Sequence, residues 1–139
     1  ALDTLEIQNG ASHSELKIDQ AGNIKLIEIG GRMGGDCIGS HLVPNTTGLD
    51  FVGMVVQIAL GQAPDMTRHP HHPACGVRFV FGPRDLELRA VLREAPGITM
   101  LEESPIDPMD HMVTDSSTRF GYYLFAAEDA ATLCAWMEK

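Results

Sequence analysis

The stretch "LIEIGGRMGGD", Leu26 to Asp36, constrains this chain more than any other. Its first residues have the isoleucine- and leucine-rich character of a buried strand. Four glycines then follow, with Glu28 before them and Arg32 among them. Gly34 and Gly35 either turn the backbone sharply or let it approach a ligand closely. Glu28, Gly30 and Arg32 share one strand face by alternation. One strand end thus carries an acid, a base and a bare backbone together.

The preceding residues supply a partner strand. "SHSELKID" alternates, with Leu16 and Ile18 on one face and Glu15 and Lys17 on the other. "QAGN" is a turn, and "IKLIEI" returns. Asp19 pairs with either Asn23 or Ile24. Closing on Ile24 sets Leu16 opposite Ile27 and Glu15 opposite Glu28. Carboxylates facing each other across a ladder repel. They splay into water, bind a proton or share a cation. His13 is expected on the opposite face from Glu15, where a packing role outweighs a substrate contact.

Further on, "LDFVGMVVQIALGQ" predicts a mostly buried helix with an apolar stripe of Phe51, Met54, Val55, Ile58 and Ala59. Asp50 sits in its first turn, and Gly61 fits its C-terminal stop. "QAPDMTRHPHHPAC" is a proline- and histidine-rich connection. His69, His71, His72 and Cys75 lack a second paired set of zinc ligands, which points to a solvated loop. "CGVRFVFG" and "LELRAVL" are expected as two strands joined by the turn "GPRD". Residues 94–118, with three prolines, are expected to be irregular. "RFGYYLFAA" reads as a last strand and "EDAATLCAWMEK" as a terminal helix, with Leu133, Trp136 and Met137 as its apolar contacts. The fold class expected is α+β: a mainly antiparallel sheet with a buried helix after the glycine-rich turn and a helix at the C-terminus.

Composition narrows the function. The 139 residues are 44% hydrophobic, enough for a packed core. The formal net charge of -9 argues against nucleic acid or an anionic membrane as partner, but not against a phosphate ligand held by local cations or a metal. Three widely spaced cysteines argue against a disulfide framework and for a reducing cytoplasm. No run approaches the roughly 20 apolar residues of a membrane span, and no signal peptide is visible. The chain opens on Ala1 rather than Met, as an excised piece of a longer protein would.

The residue types around Glu15 and Glu28 suit one chemistry. Two carboxylates match Mg²⁺ or Mn²⁺, which keep waters and bind substrate phosphates. Arg32 suits a phosphoryl or carboxylate oxygen, and glycine amides suit a developing oxyanion.

In order and spacing, residues 12–62 resemble the C-terminal half of an ATP-grasp domain, the fold of carboxylate–amine ligases such as biotin carboxylase, carbamoyl phosphate synthetase and the amino-acid ligases. The shared pattern is an acid on one strand, then glutamate–x–asparagine–x–arginine on the next. Glycines follow, then "TG-hydrophobic-D" opening a helix that ends "GQ" or "GE". The resemblance implies that Glu15 and Glu28 are metal ligands that also bind the cofactor. It implies that Arg32 holds an acyl phosphate or substrate carboxylate, with Gly34 and Gly35 beside the reacting phosphoryl. Gly30 occupies the place of the family's asparagine ligand, as in some amino-acid-ligase-like members, which weakens a second metal site.

Residues 63–139 are similar to the trailing segment of biotin carboxylase-like members, with Arg119, Gly121 and Glu128 fitting its late strand and helix. The resemblance thus divides the chain into 1–62, half of a grasp domain, and 63–139, trailing strands and helix. It implies Mg²⁺ or Mn²⁺ as cofactor, ATP in a full-length parent, and small carboxylate and amine substrates. Its partners are then the missing N-terminal lobes that bear the nucleotide lysine and glycine-rich loop. By itself such a fragment is inactive and exposes the face that meets the missing lobe, so a homodimer would cover it. The alternative is a non-catalytic, degenerate or self-associating scaffold domain.

Overall fold

Asp19 organises the turn of the first hairpin. Its carboxylate accepts hydrogen bonds from the backbone amides of Ala21 and Asn23 and from the Asn23 side chain, each at 2.9 Å. Those bonds, led by the Asn23 side chain, hold the Asp19 carboxyl below the usual carboxylate range. The computed structural model describes residues 2–139. In chain order its strands and α-helices are β1 (His13–Ile18), β2 (Ile24–Gly30), α1 (Val43–Thr47), α2 (Phe51–Ala59), β3 (Ala74–Val80), α3 (Pro83–Arg93), β4 (Ile98–Glu103), β5 (Gly121–Ala127) and α4 (Ala130–Met137). The elements are α and β together and both sheets are antiparallel, which agrees with the expected α+β class. The chain forms two compact units. One comprises the described residues up to Pro44 with Gly48–His69; the other comprises Asn45–Thr47 with Pro70–Lys139.

In the first unit, β1 and β2 form a two-stranded ladder that closes on Asn23, through the Asp19 amide to the Asn23 carbonyl at 3.0 Å. Leu16 therefore stands opposite Leu26, not Ile27. A β-bulge between Glu15 and Leu16 shifts the register by one residue and leaves Ile27 without a partner. α2 starts at Asp50, whose side chain accepts from the Gly53 amide at 2.9 Å. It ends in a Schellman motif: Gly61, at φ 74°, donates its N–H to the Ile58 carbonyl, and Gln62 donates to Gln57. Met54 is buried and Phe51, Val55 and Ile58 are half-buried, as the stripe implies. Ala59, however, is exposed, and so are Val52 and Val56. The helix is buried on one side only, which corrects the expectation of a mostly buried one.

The second unit holds the main core. Its three-stranded sheet has the order β3-β5-β4, with β5 in the centre. Tyr123, Leu124 and Phe125 of β5 are fully buried, so this strand is covered on both faces. Val80, Leu92 and Phe120 join Tyr123 and Phe125 in one cluster, against which Leu86 and Leu88 of α3 and Leu133 and Trp136 of α4 pack. Met137, expected in that role, is 44% exposed, but its sulfur lies against Gly76 of β3, 3.2 Å from where a Cβ would stand. Gly76 on β3 permits the approach of α4, because a Cβ there would lie 2.9 Å from a Leu133 methyl.

Two expectations fail in this unit. "LELRAVL" is not a strand but the body of α3, and "GPRD" is not a hairpin turn but the start of that helix. Pro83 occupies the first helical position, where its missing N–H costs nothing. The Asp85 carboxylate accepts from the amides of Phe81 at 2.9 Å and Gly82 at 3.1 Å. Residues 94–118 are also not wholly irregular: β4 runs between the prolines and pairs with β5. Glu103 at its end receives a two-pronged hydrogen bond from Arg93 and lies 3.2 Å from Arg89, tying α3 to β4.

Candidate functional site

The bulge determines what shares a surface on the hairpin. Ile24, Leu26, Glu28 and Gly30 would all face one way under strict alternation. The extra residue instead separates the apolar pair from the acid. Ile18 with Ile24 and Leu16 with Leu26 lie on one face. The other face presents three cross-strand pairs in a row: Lys17 with Lys25, Glu15 with Glu28, and His13 with Gly30. Glu15 and Glu28 are directly opposed, and both are solvent-exposed.

Arg32 lies beyond the last residue of β2 but folds back over it. A Cβ built on Gly30 would lie 3.5 Å from Arg32 Cγ and 4.0 Å from its guanidinium carbon, so the side chain covers Gly30 on the acid face. Its Nη1 donates to the Met33 carbonyl at 2.8 Å, which turns the chain into the glycine loop. The expected grouping of Glu28, Gly30 and Arg32 is therefore present.

The two loop glycines differ. A Cβ on Gly34 would meet His13 Cδ2 and Ile38 Cγ2, both at 3.0 Å, so this position admits no side chain without displacement. Gly35 faces open space. The following residues, Asp36 (φ 50°) and Cys37 (φ 65°), both take the left-handed conformation that side chains disfavour. A π turn at Ile38–Leu42 holds them: Ile38 donates to the Gly35 carbonyl at 2.8 Å and Gly39 to the Gly34 carbonyl at 3.3 Å.

Two residues of this surface escape the sequence reading, His13 and Lys25. His13 stands on the same face as Glu15, two residues away, and not on the opposite one. The alternation that separates Leu16 from Glu15 also unites positions 13 and 15. Lys17 and Lys25 flank the acid pair on its other side. Opposed like charges destabilise a ladder by about 0.2–1 kcal/mol, and here an acid pair and a lysine pair adjoin. The adjoining pairs of opposite sign offset part of each other's repulsion, and a divalent cation held by the acids would relieve the acid pair further.

Donor chemistry fits such an ion: four carboxylate oxygens suit Mg²⁺ or Mn²⁺. Among the described residues no group of three or more His, Cys, Asp or Glu is placed to hold a metal, so Glu15 and Glu28 would share its coordination with water and ligand oxygens. His69, His71, His72 and Cys75 do not converge on such a group either. No helix of the described residues is long and apolar enough to cross a membrane.

No protein-family model and no curated protein matches the chain. Solved structures do. An L-amino acid ligase from Bacillus licheniformis aligns over 99% of the chain with a TM-score of 0.62 at 21% identity. An N5-carboxyaminoimidazole synthetase from Staphylococcus aureus aligns over 92% with a TM-score of 0.60 at 16% identity. The chain spans 36% and 32% of those two proteins, about a third of each. Its fold is that of the C-terminal portion of an ATP-grasp enzyme. More particularly, the likeness is one of fold, over part of that L-amino acid ligase and part of that synthetase.

Proposed function

We propose that the chain is the metal- and phosphate-gripping C-terminal part of an ADP-forming ATP-grasp ligase that joins a carboxylate to an amine through an acyl phosphate. The observation that carries this reading is the register pairing of Glu15 with Glu28, with Arg32 folded over Gly30 on the same face. Glu15 and Glu28 would hold Mg²⁺ or Mn²⁺, which would supply Lewis-acid charge stabilisation to a phosphate there. Arg32 orients the phosphoryl or carboxylate oxygens at one end of the acid pair. Lys17 and Lys25 supply positive charge at the other. Gly34 and Gly35 keep side chains away from the reacting group. That one neighbour is an L-amino acid ligase favours amino-acid-like carboxylate and amine substrates. In this reading residues 1–62 belong to the grasp domain and residues 63–139 to its trailing segment. The nucleotide is held chiefly by other lobes of a cytoplasmic parent protein, and the chain by itself does not turn over.

A second reading, a self-associating scaffold, is favoured by the apolar surface of the first unit. Leu16, Ile18, Ile24 and Leu26 are each at least half exposed.

Calorimetric titration with Mg²⁺ and Mn²⁺ separates the two. The ligase reading predicts binding by the 139-residue chain that weakens at least about tenfold in Glu28→Gln, as expected when one of few ligands is lost. Equal responses from the chain and the variant would leave the metal assignment, and with it the reading, without support.

A further inference from the structure

His13 has a feature that neither packing nor metal binding explains. Its ring edge rests against Gly34, where a Cβ would be only 3.0 Å from Cδ2. The Nδ1 atom is buried there and has no hydrogen-bond partner. Nε2 is not among the buried unpartnered atoms, so it is the ring nitrogen open to the surface. The residue shares its face with Glu15 and Glu28, yet does not form a three-ligand metal group with them.

The ring can place its single neutral-form hydrogen on either nitrogen. With the hydrogen on Nδ1, an N–H donor would be buried without an acceptor, a rare and costly arrangement. With the hydrogen on Nε2, only a lone pair is buried and the donor points outward. The Gly34 contact then fixes the direction of that donor, because the ring cannot slide inward past the glycine and Ile38.

We infer that His13 is a ligand-binding residue of this site: its Nε2–H donates a hydrogen bond to an anionic oxygen of the phosphate group gripped by the acid-pair metal. The same ring, seated on Gly34, sets the distance between β1 and the glycine turn. This assignment rests on the proposed metal and phosphate site. It adds a donor on β1, opposite Gly30, at the position where the partner strand offers no side chain. No proton is transferred; the residue binds and orients.

Long-range ¹H–¹⁵N NMR of the imidazole rings in the 139-residue chain tests it, with Mg²⁺ and pyrophosphate as the probe. The expected result is the Nε2–H tautomer for His13 before addition. A shift of its Nε2 resonance should then saturate with the same midpoint as the amide shifts of Glu15 and Glu28. His13→Leu should weaken pyrophosphate binding about tenfold, the loss of one hydrogen bond to a charged group. His13→Gln, whose amide reaches the position of Nε2, should restore most of it. The proposal is overturned by an Nδ1–H tautomer, by a His13 resonance that stays still while pyrophosphate binds, or by equal losses in the leucine and glutamine variants. Those outcomes leave the metal site standing. Failure of the chain to bind Mg²⁺ and pyrophosphate at all would instead remove the functional reading and this assignment together.

Discussion

Glu15 stands opposite Glu28 because the ladder between them takes in one unpaired residue, Ile27. From Ile18 to Leu16 the strands pair in one register, and from Glu15 to His13 in the next. The shift places both acids on a face with Lys17, Lys25, His13 and Gly30 and leaves the leucines and isoleucines on the other. Opposed carboxylates do not stabilise a hairpin. Their arrangement at the mouth of a glycine turn is what the proposed metal site rests on.

The two glycines of the turn make opposite predictions. Gly34→Ala would force a methyl group to 3.0 Å from His13 and Ile38. It should cost about 1–3 kcal/mol, the usual range for overpacking, and should weaken divalent-ion binding by moving β1 away from the turn. Gly35→Ala meets nothing within 4 Å and should change stability by less than about 0.5 kcal/mol. Urea unfolding of both variants checks the contrast, and similar losses would mean that the turn is not packed as described.

Gly30 offers a gain rather than a loss. A Cβ there would be in ordinary contact with Arg32 Cγ at 3.5 Å, and the backbone has no positive φ, so Gly30→Asn should fold normally. The added amide oxygen would lie on the acid face beside Glu28. Mn²⁺ affinity, measured by electron spin resonance, should rise by up to about tenfold, the scale of one added polar contact. A variant that folds as well but binds Mn²⁺ no better would show that position 30 does not face the ion.

In the second unit, a pH response follows from Asp110 and His111. The Asp110 carboxylate lies 3.0 Å from His111 Nδ1, and the other ring nitrogen lies 3.0 Å from the Thr118 carbonyl. The Asp110 hydrogen bond first, and the Thr118 carbonyl next, raise the His111 pKa above its ordinary 6.5. The same pairing lowers Asp110 below 3.8. A raised histidine stabilises the folded state fully below its unfolded value, and the effect is lost as pH rises through the folded one. A lowered aspartate stabilises above its unfolded value and loses the effect as pH falls through the folded one. The loop should therefore be firmest between those two titrations. NMR titration should show a higher His111 midpoint in the parent chain than in Asp110→Asn; equal midpoints would exclude the pairing.

Much of the site is legible in the residues because it is local. The turn at Asp19, the hairpin, Glu28, Gly30 and Arg32 lie within a short span, and α2 announces its ends through Asp50 and Gly61. The bulge is not legible, since an unpaired Ile27 looks like any other strand residue. That is why closing the turn on Ile24 sets Glu15 against Glu28, as in the structure, but gives Leu16 the wrong partner. α3 looks like a strand in the sequence because Leu86, Glu87, Leu88 and Arg89 alternate as a strand does. Pro83 followed by Asp85 was the better signal, since together they cap a helix. β4 was hidden by flanking prolines whose influence does not extend across Ile98–Glu103. Strict alternation already puts His13 on the face of Glu15, but its burial depends on Gly34, which only the folded turn brings to it.

The most direct test of the account is a map of where Mn²⁺ goes. Substoichiometric Mn²⁺ added to the ¹⁵N-labelled chain should first broaden the amide signals around Glu15 and Glu28, and either Glu15→Gln or Glu28→Gln should abolish that broadening. Signals at Glu15 and Glu28 that stay sharp while acids elsewhere broaden, or broadening that survives both substitutions, would contradict it.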